Sequence, residues 1–212
     1  MSYIEFSDVG VELNGASILK HVSASFDSGM IHGIIGRNGS GKSVMFKTMC
    51  GFIRTSSGSV TVNGKRVGVD VDHPDSLGFT INDSGFLPRY SGYKNLRFIA
   101  RVRNVIGANE ISSAMKLVGL DPHARKPVAH YSTGMKQRLS IAQAIMENPS
   151  LLVLDEPMNG LDDSGVREMR MLFERLKREN KTIMMASHNR EDIEELCDTV
   201  YKMDAGILTR VR

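Results

Sequence analysis

Eight consecutive residues, Gly36-Arg37-Asn38-Gly39-Ser40-Gly41-Lys42-Ser43, narrow the possible folds more than anything else in the chain. They follow a short apolar run, Met30 to Ile35 (MIHGII), and lead into a helical pattern from Ser43 through Val44 to Met49, with Gly51 placed as its C-terminal cap. The spacing is GxxxxGK[ST], the P-loop, in the strand-before and helix-after context that the motif requires. Glycines let successive backbone N–H groups converge on a phosphate where side chains would collide. The helix start adds the positive end of its dipole. Lys42 is expected to reach the β- and γ-phosphates of a nucleotide, and the Ser43 hydroxyl to ligate Mg²⁺. The competing reading, a flexible glycine loop, requires neither flanking element.

The pattern around this loop predicts an α/β chain. Ile4, Phe6 and then Val22 to Phe26 alternate with polar residues, as in half-buried strands, and Asn63-Gly64 inside SVTVNGKRV is a hairpin signal. From about Lys94 to Gly119 the pattern is helical, in two series: Leu96, Ile99, Ala100, Arg103 and Ile111, Ala114, Val118. A further helix is expected from about Thr133 to Glu147, stopping before Asn148-Pro149. Leu151 to Asp155 reads as a buried parallel strand. A helix carrying Val166, Met169, Leu172, Phe173 and Leu176 follows, then the strand-like Thr182 to Ser187. The expected architecture is a single domain over 1–212: a P-loop core, an N-terminal antiparallel β portion, and an inserted helical subdomain at roughly 85–135.

Composition excludes several classes. With 212 residues, 41% hydrophobic and 24% charged, the chain is ordinary for a globular protein and long enough for a sizeable core. Its net charge of +3 is too thin to imply nucleic-acid binding. Cys50 and Cys197 form no CxxC pair, which fits a reducing, intracellular setting. No segment has the ~18 consecutive apolar residues of a membrane span, and the N-terminus lacks the pattern of a secretory signal. The expectation is a chain soluble by itself that meets a membrane only through a partner. The thirteen methionines, among them Met45, Met49, Met169, Met184 and Met185, are expected to pack in the core. The run Arg175 to Glu179 reads as a solvated, mixed-charge helix face.

Three further elements carry chemistry. Asp155, at the tip of its strand, fits the Walker B carboxylate that holds Mg²⁺ through water, and Glu156 can face the γ-phosphate and act on the attacking water. Read blandly, the pair ends a strand and caps the next helix. Ser132 and Gly134, in Tyr131-Ser132-Thr133-Gly134-Met135, open a predicted helix and could make a second phosphate-binding terminus; alone, Ser132 is an N-cap. Ser187-His188 follows another strand, and His188 is the one histidine with a motif around it; His21, His32, His73, His123 and His130 read as ordinary surface or core residues.

In their chain order, P-loop, Ser132–Gly134, Asp155-Glu156 and Ser187-His188, the four motifs resemble an ABC transporter ATP-binding subunit over nearly the whole chain, and YSTGMKQRL is similar to the variant of drug- and bacteriocin-export subunits. The resemblance implies ATP and Mg²⁺ as cofactors and ATP hydrolysis as the activity. It places the nucleotide between the P-loop of one copy and the Ser132–Gly134 helix start of another, in a homo- or heterodimer. Glu156 would act on the water, Lys42 would stabilise charge, and His188 would contact the γ-phosphate. Asn159-Gly160-Leu161-Asp162 corresponds to the loop that touches the opposite subunit. The implied partner is a separate membrane permease docking around Asn82 to Arg89, near Gly85 to Pro88, which places the chain in the cytoplasm on the inner face of the membrane.

Two positions depart from the family. Where a glutamine usually contacts Mg²⁺ and water, the chain has Asn82, one methylene shorter; Asn82 reads equally as a loop residue in an Asx-turn. Where an aromatic usually stacks on adenine, the nearest match is Leu13, with Tyr3 and Phe6 too early. These departures leave room for a nucleotide-binding regulatory or immunity component with little turnover. A soluble ABC-type ATPase without a permease is the other alternative.

Overall fold

The computed structural model describes residues 2–81 and 85–212. β1 (Ser2–Leu13) and β2 (Ala16–Asp27) form a long antiparallel hairpin. After β3 (Ile31–Ile35) and α1 (Lys42–Met49), the chain returns beside β1 as β4 (Ser57–Val62) and β5 (Lys65–Arg66). Asn63 and Gly64 join β4 to β5 with φ of 50° and 75°, and positive φ at both central residues is what a two-residue hairpin turn needs. The spatial order is β2-β1-β4-β5.

The second sheet adds β6 (Leu77–Thr80), β7 (Leu151–Asp155), β8 (Thr182–Ser187), β9 (Thr199–Asp204) and β10 (Ile207–Arg210), in the order β10-β9-β3-β8-β7-β6. Its five strands from β9 to β6 are parallel, and β10 closes one edge antiparallel to β9. Both faces are covered. Leu152, Leu154, Ile183 and Met185 join a core with Leu96, Met115, Leu139 and Phe173 from the helices. Their neighbours Leu151, Val153, Met184 and Ala186 join the opposite core with Ile4, Phe6, Phe26, Met45 and Phe46. Alternate residues of one strand thus feed two cores, which is why β7 and β8 read as unbroken apolar runs. The methionines singled out in the sequence, Met45, Met49, Met169, Met184 and Met185, are all at most 1% exposed, as core packing required.

Five more helices follow the first: α2 (Gly92–Arg103), α3 (Ala108–Leu117), α4 (Thr133–Ile145), α5 (Asp163–Arg178) and α6 (Arg190–Leu196). The long helical stretch after Lys94 divides because Asn104 turns left-handed at φ 54° and closes α2, while Glu110 reaches back to the Gly107 N–H (2.9 Å) and starts α3. α4 stops two residues short of the expected Glu147; Asn148, at φ 52° before Pro149, turns the chain into β7. The β6–α4 contact is backbone against backbone: a Cβ on Gly78 would lie 1.9 Å from the Ala144 carbonyl oxygen.

One buried titratable side chain ties the two sheets together. His32, on β3, is 1% exposed and bonds the Asp27 carbonyl through Nε2 (2.8 Å) and the Thr199 hydroxyl through Nδ1 (2.7 Å). A carbonyl can only accept, so Nε2 carries the proton and Nδ1 accepts from Thr199 in the neutral ring. Burial lowers the His32 pKa below its ordinary 6.5, outweighing the Asp27 carbonyl and the Asp198 charge. The unfolded chain therefore binds this proton at higher pH than the folded one, and stability falls as pH drops below 6.5 towards the folded value. Urea midpoints taken between about pH 7.5 and about pH 5 should decline in the parent and decline less steeply in His32→Gln. Parallel slopes would show that His32 does not titrate on unfolding.

Candidate functional site

Parallel strands deliver their polar residues to their carboxyl ends, and here β3, β7 and β8 bring three such ends side by side. The loop after β3 is shaped by close packing. A Cβ on Gly36 would fall 2.4 Å from the Met203 carbonyl oxygen, and Gly41, at φ 115°, begins α1 in a conformation that L side chains rarely adopt. No side chain caps α1, and its first turn contains no acidic residue. Lys42 is buried, with its ammonium donating to the carbonyls of Gly36 (2.8 Å) and Arg37 (3.2 Å). It forms no ion pair among the described residues. The buried Ser40 hydroxyl has no hydrogen-bond partner among the described residues.

An uncapped helix start, a buried cation held only by carbonyls and an orphaned hydroxyl converge on one loop. Each is a donor that the folded chain leaves without an anion, and a chain of phosphates answers all of them. The residues present therefore fit the nucleotide expected from the sequence.

Across the sheet edge, the Ser43 hydroxyl donates to Asp155 at 2.5 Å. Burial pushes the Asp155 carboxyl above its ordinary pKa, opposed by the Ser43 hydrogen bond and augmented by the neighbouring Glu156 charge. A cation at this place would favour the ionised form. Among the described residues no group of three His, Cys, Asp or Glu side chains could hold a metal unaided. Such a cation would need phosphate oxygens as further ligands.

Glu156 leaves β7 at φ 52°, a conformation costing about 1 kcal/mol or more for a non-glycine residue. Its N–H donates to the Ala186 carbonyl (2.9 Å), which anchors the turn to β8. One carboxylate oxygen accepts from the His188 ring (2.7 Å) and backbone N–H (3.3 Å); the other is buried and has no partner among the described residues. The structure thus brings together Lys42, Ser43, Asp155, Glu156 and His188 from three strand ends. The side chain of His188 is 63% exposed, so the pair opens towards solvent.

Ser132 caps α4, its hydroxyl accepting from Met135 N–H (3.2 Å), so the bland reading holds within one chain. Gly134 lies against Gly160, whose carbonyl oxygen would be 3.0 Å from an added Cβ. The start of α4 and the Asn159–Asp162 loop therefore form one exposed surface. Asp162 caps α5, and the N–H of Gly165 holds its carboxyl below the ordinary carboxylate range. Leu13, at the end of β1, is 37% exposed. Asn82 lies outside the described residues.

Two neighbours of the Ser132 motif do more than the sequence disclosed. Gln137 Nε2 donates to the carbonyls of Glu156 (3.3 Å) and Pro157 (3.0 Å), clamping the turn that holds Glu156. Arg138 joins the end of α3 to α5, bonding the Val118 carbonyl (2.7 Å) and Glu168 (2.6 Å). The KQR triplet was visible in the sequence. Its targets were not, because they lie about 20 and 30 residues away along the chain.

A P-loop nucleotide-binding site in this architecture defines the class. A family model described as ABC transporter matches residues 19–159, and the chain belongs to the ABC transporter family as an ATP-binding and ATP-hydrolysing domain. It is 36% identical over 205 residues to the ABC transporter ATP-binding protein YybJ of Bacillus subtilis, covering 97% of this chain and 94% of that one. It is 35% identical to the bacitracin transport ATP-binding protein BcrA of Enterococcus faecalis, covering 97% of this chain and 67% of that one. Its fold matches the dimeric structure of the ATP-binding cassette MJ0796 bound to ADP and Pi with a TM-score of 0.86 at 19% identity, over 99% of both chains.

The orphaned donors of the P-loop lead to a direct expectation. Lys42→Ala should weaken ATP binding about a hundredfold or more, because it removes the buried cation facing the phosphates. Calorimetric titration with ATP measures this, and an affinity within about threefold of the parent would show that Lys42 does not meet the nucleotide.

Proposed function

We propose that this chain powers a transporter through a separate membrane permease, working as a pair of ATP-binding subunits that close on ATP and part after hydrolysis. The observation that carries the reading is the Glu156–His188 pair beside the Ser43–Asp155 contact: a carboxylate with one free, buried oxygen is poised at the edge of a phosphate cradle. The relatives named for ABC transport, and for bacitracin transport in particular, support the transporter role.

In this mechanism Lys42 and the α1 N–H groups bind and orient the phosphates and offset charge developing on them. Ser43 and Asp155 would hold Mg²⁺, which when bound supplies Lewis-acid stabilisation of the phosphate oxygens. The free oxygen of Glu156 orients the attacking water and takes its proton. His188 holds the other Glu156 oxygen and, on closure, turns to the γ-phosphate. The exposed Ser132 and the half-buried Gly134, beside Gly160 at the start of α4, are offered to the partner subunit's nucleotide. Residues 85–135 would act as the helical subdomain that meets the permease around 82–89, with the chain on the inner face of the membrane.

Glu156→Gln should retain ATP affinity within about threefold, lower turnover by about a hundredfold or more, and give an ATP-dependent dimer on size exclusion. Unchanged steady-state hydrolysis would remove Glu156 from the chemistry. Gln137→Ala should cut kcat by about tenfold with KM for ATP nearly constant, since it loosens the Glu156 turn without touching nucleotide. A loss confined to KM would place Gln137 at the binding step instead.

A further inference from the structure

From Gly85 to Gly107 the chain carries Arg89, Lys94, Arg97, Arg101 and Arg103 and no acidic residue, so this short segment holds more positive charge than the whole protein's net +3. α2 arranges most of it on one exposed stripe. Lys94, Arg97, Phe98, Arg101 and Val102 recur at intervals of three and four residues along α2 and all five are exposed, and Val105, beyond the left-handed Asn104 that ends the helix, is exposed as well. Val102 is 84% exposed, Val105 60% and Phe98 39%. Arg103 is paired with Glu147 (2.6 Å), but Arg97 and Arg101 have no ion pair among the described residues. Phe98 packs edge-on against Tyr90, over whose ring Lys94 lies, so the cations stay hydrated while the valines beside them leave apolar surface in water that a covering partner would remove.

The composition of the surface indicates what covers it. α2 is a ridge between two depressions, one of about 230 Å³ against β6 and α4 and one of about 360 Å³ against the start of α3. Basic side chains spaced among apolar ones on an exposed helix face are the composition of a helix that lies on an anionic membrane surface. Valines exposed beside arginines gain nothing from a nucleic-acid backbone but do gain from the boundary between headgroups and acyl chains. We infer that the exposed stripe of α2 binds the anionic headgroups of a membrane surface directly, with Phe98, Val102 and Val105 entering the interface. This goes beyond the reading above, in which the membrane is reached only through a permease. Because it needs no nucleotide, it stands or falls separately from the ATPase mechanism.

Co-sedimentation of the full chain with vesicles tests it. Binding to phosphatidylcholine vesicles containing a third phosphatidylglycerol is expected, with little binding to pure phosphatidylcholine and a steep loss on raising salt. Each basic residue at such a surface contributes about fivefold in partitioning, so Lys94→Gln/Arg97→Gln/Arg101→Gln should lose about a hundredfold. Val102→Ser/Val105→Ser, with all charges kept, should lose binding as well, which simple charge attraction would not produce. Circular dichroism and ATP hydrolysis by both variants report whether the fold is intact, and the salt titration of the parent remains decisive even if a variant misfolds. Absence of binding to anionic vesicles, or equal binding by parent and folded variants, would overturn the inference. So would capture by polyglutamate or homopolymeric RNA in place of vesicles, handing the stripe to an acidic protein or a nucleic acid.

Discussion

Among the described residues no side chain caps the first turn of α1, and nothing acidic is paired with Lys42. The positive end of the helix, the buried ammonium and the Ser40 hydroxyl form a cradle whose missing partner must come from outside. Lys42 is held meanwhile by the Gly36 and Arg37 carbonyls, so the Ser40 hydroxyl is the donor left wanting, and a buried hydroxyl favours a partner by roughly 1–3 kcal/mol. The rest of the fold is arranged around that deficit. β3 carries the loop, β8 lies between β3 and β7, and the spacing brings Asp155 within a hydrogen bond of Ser43.

Holding such a loop in place requires a sheet that cannot shift. Both faces of β7 and β8 are packed, each strand feeding two cores with alternate side chains. A slip of one residue would exchange every side chain between those cores and withdraw Asp155 and Glu156 from the edge. The helices add a second brace. Gln137 grips the turn after β7 from α4, whose own start bears Ser132 and Gly134. A displacement of α4 caused by a partner at its start would therefore be felt at Glu156 within the same subunit. That contact is a physical route by which assembly could control hydrolysis.

The outer surfaces divide the remaining labour. The start of α4 and the Asn159–Asp162 loop share one exposed area, while α2 exposes a basic and apolar stripe of its own. The first is the face proposed for a second ATP-binding subunit, and the second the face proposed for a lipid surface.

Much of the site was legible without coordinates. The P-loop, the acidic strand end and the histidine after β8 are contiguous motifs, and local backbone requirements such as Gly41 at positive φ are written into them. The unbroken apolar run of β7 announced a buried parallel strand. Less legible were the division of the long helical stretch at Asn104, decided by a single left-handed residue, and the stop of α4 at Ile145. What the amino-acid sequence determined by itself was therefore the phosphate-binding chemistry and the α/β alternation, because both depend on neighbours along the chain. The tertiary structure alone decided that Ser43 meets Asp155, that His188 holds Glu156 and that Gln137 clamps its turn, because those contacts depend on strand order and helix packing between residues far apart in sequence.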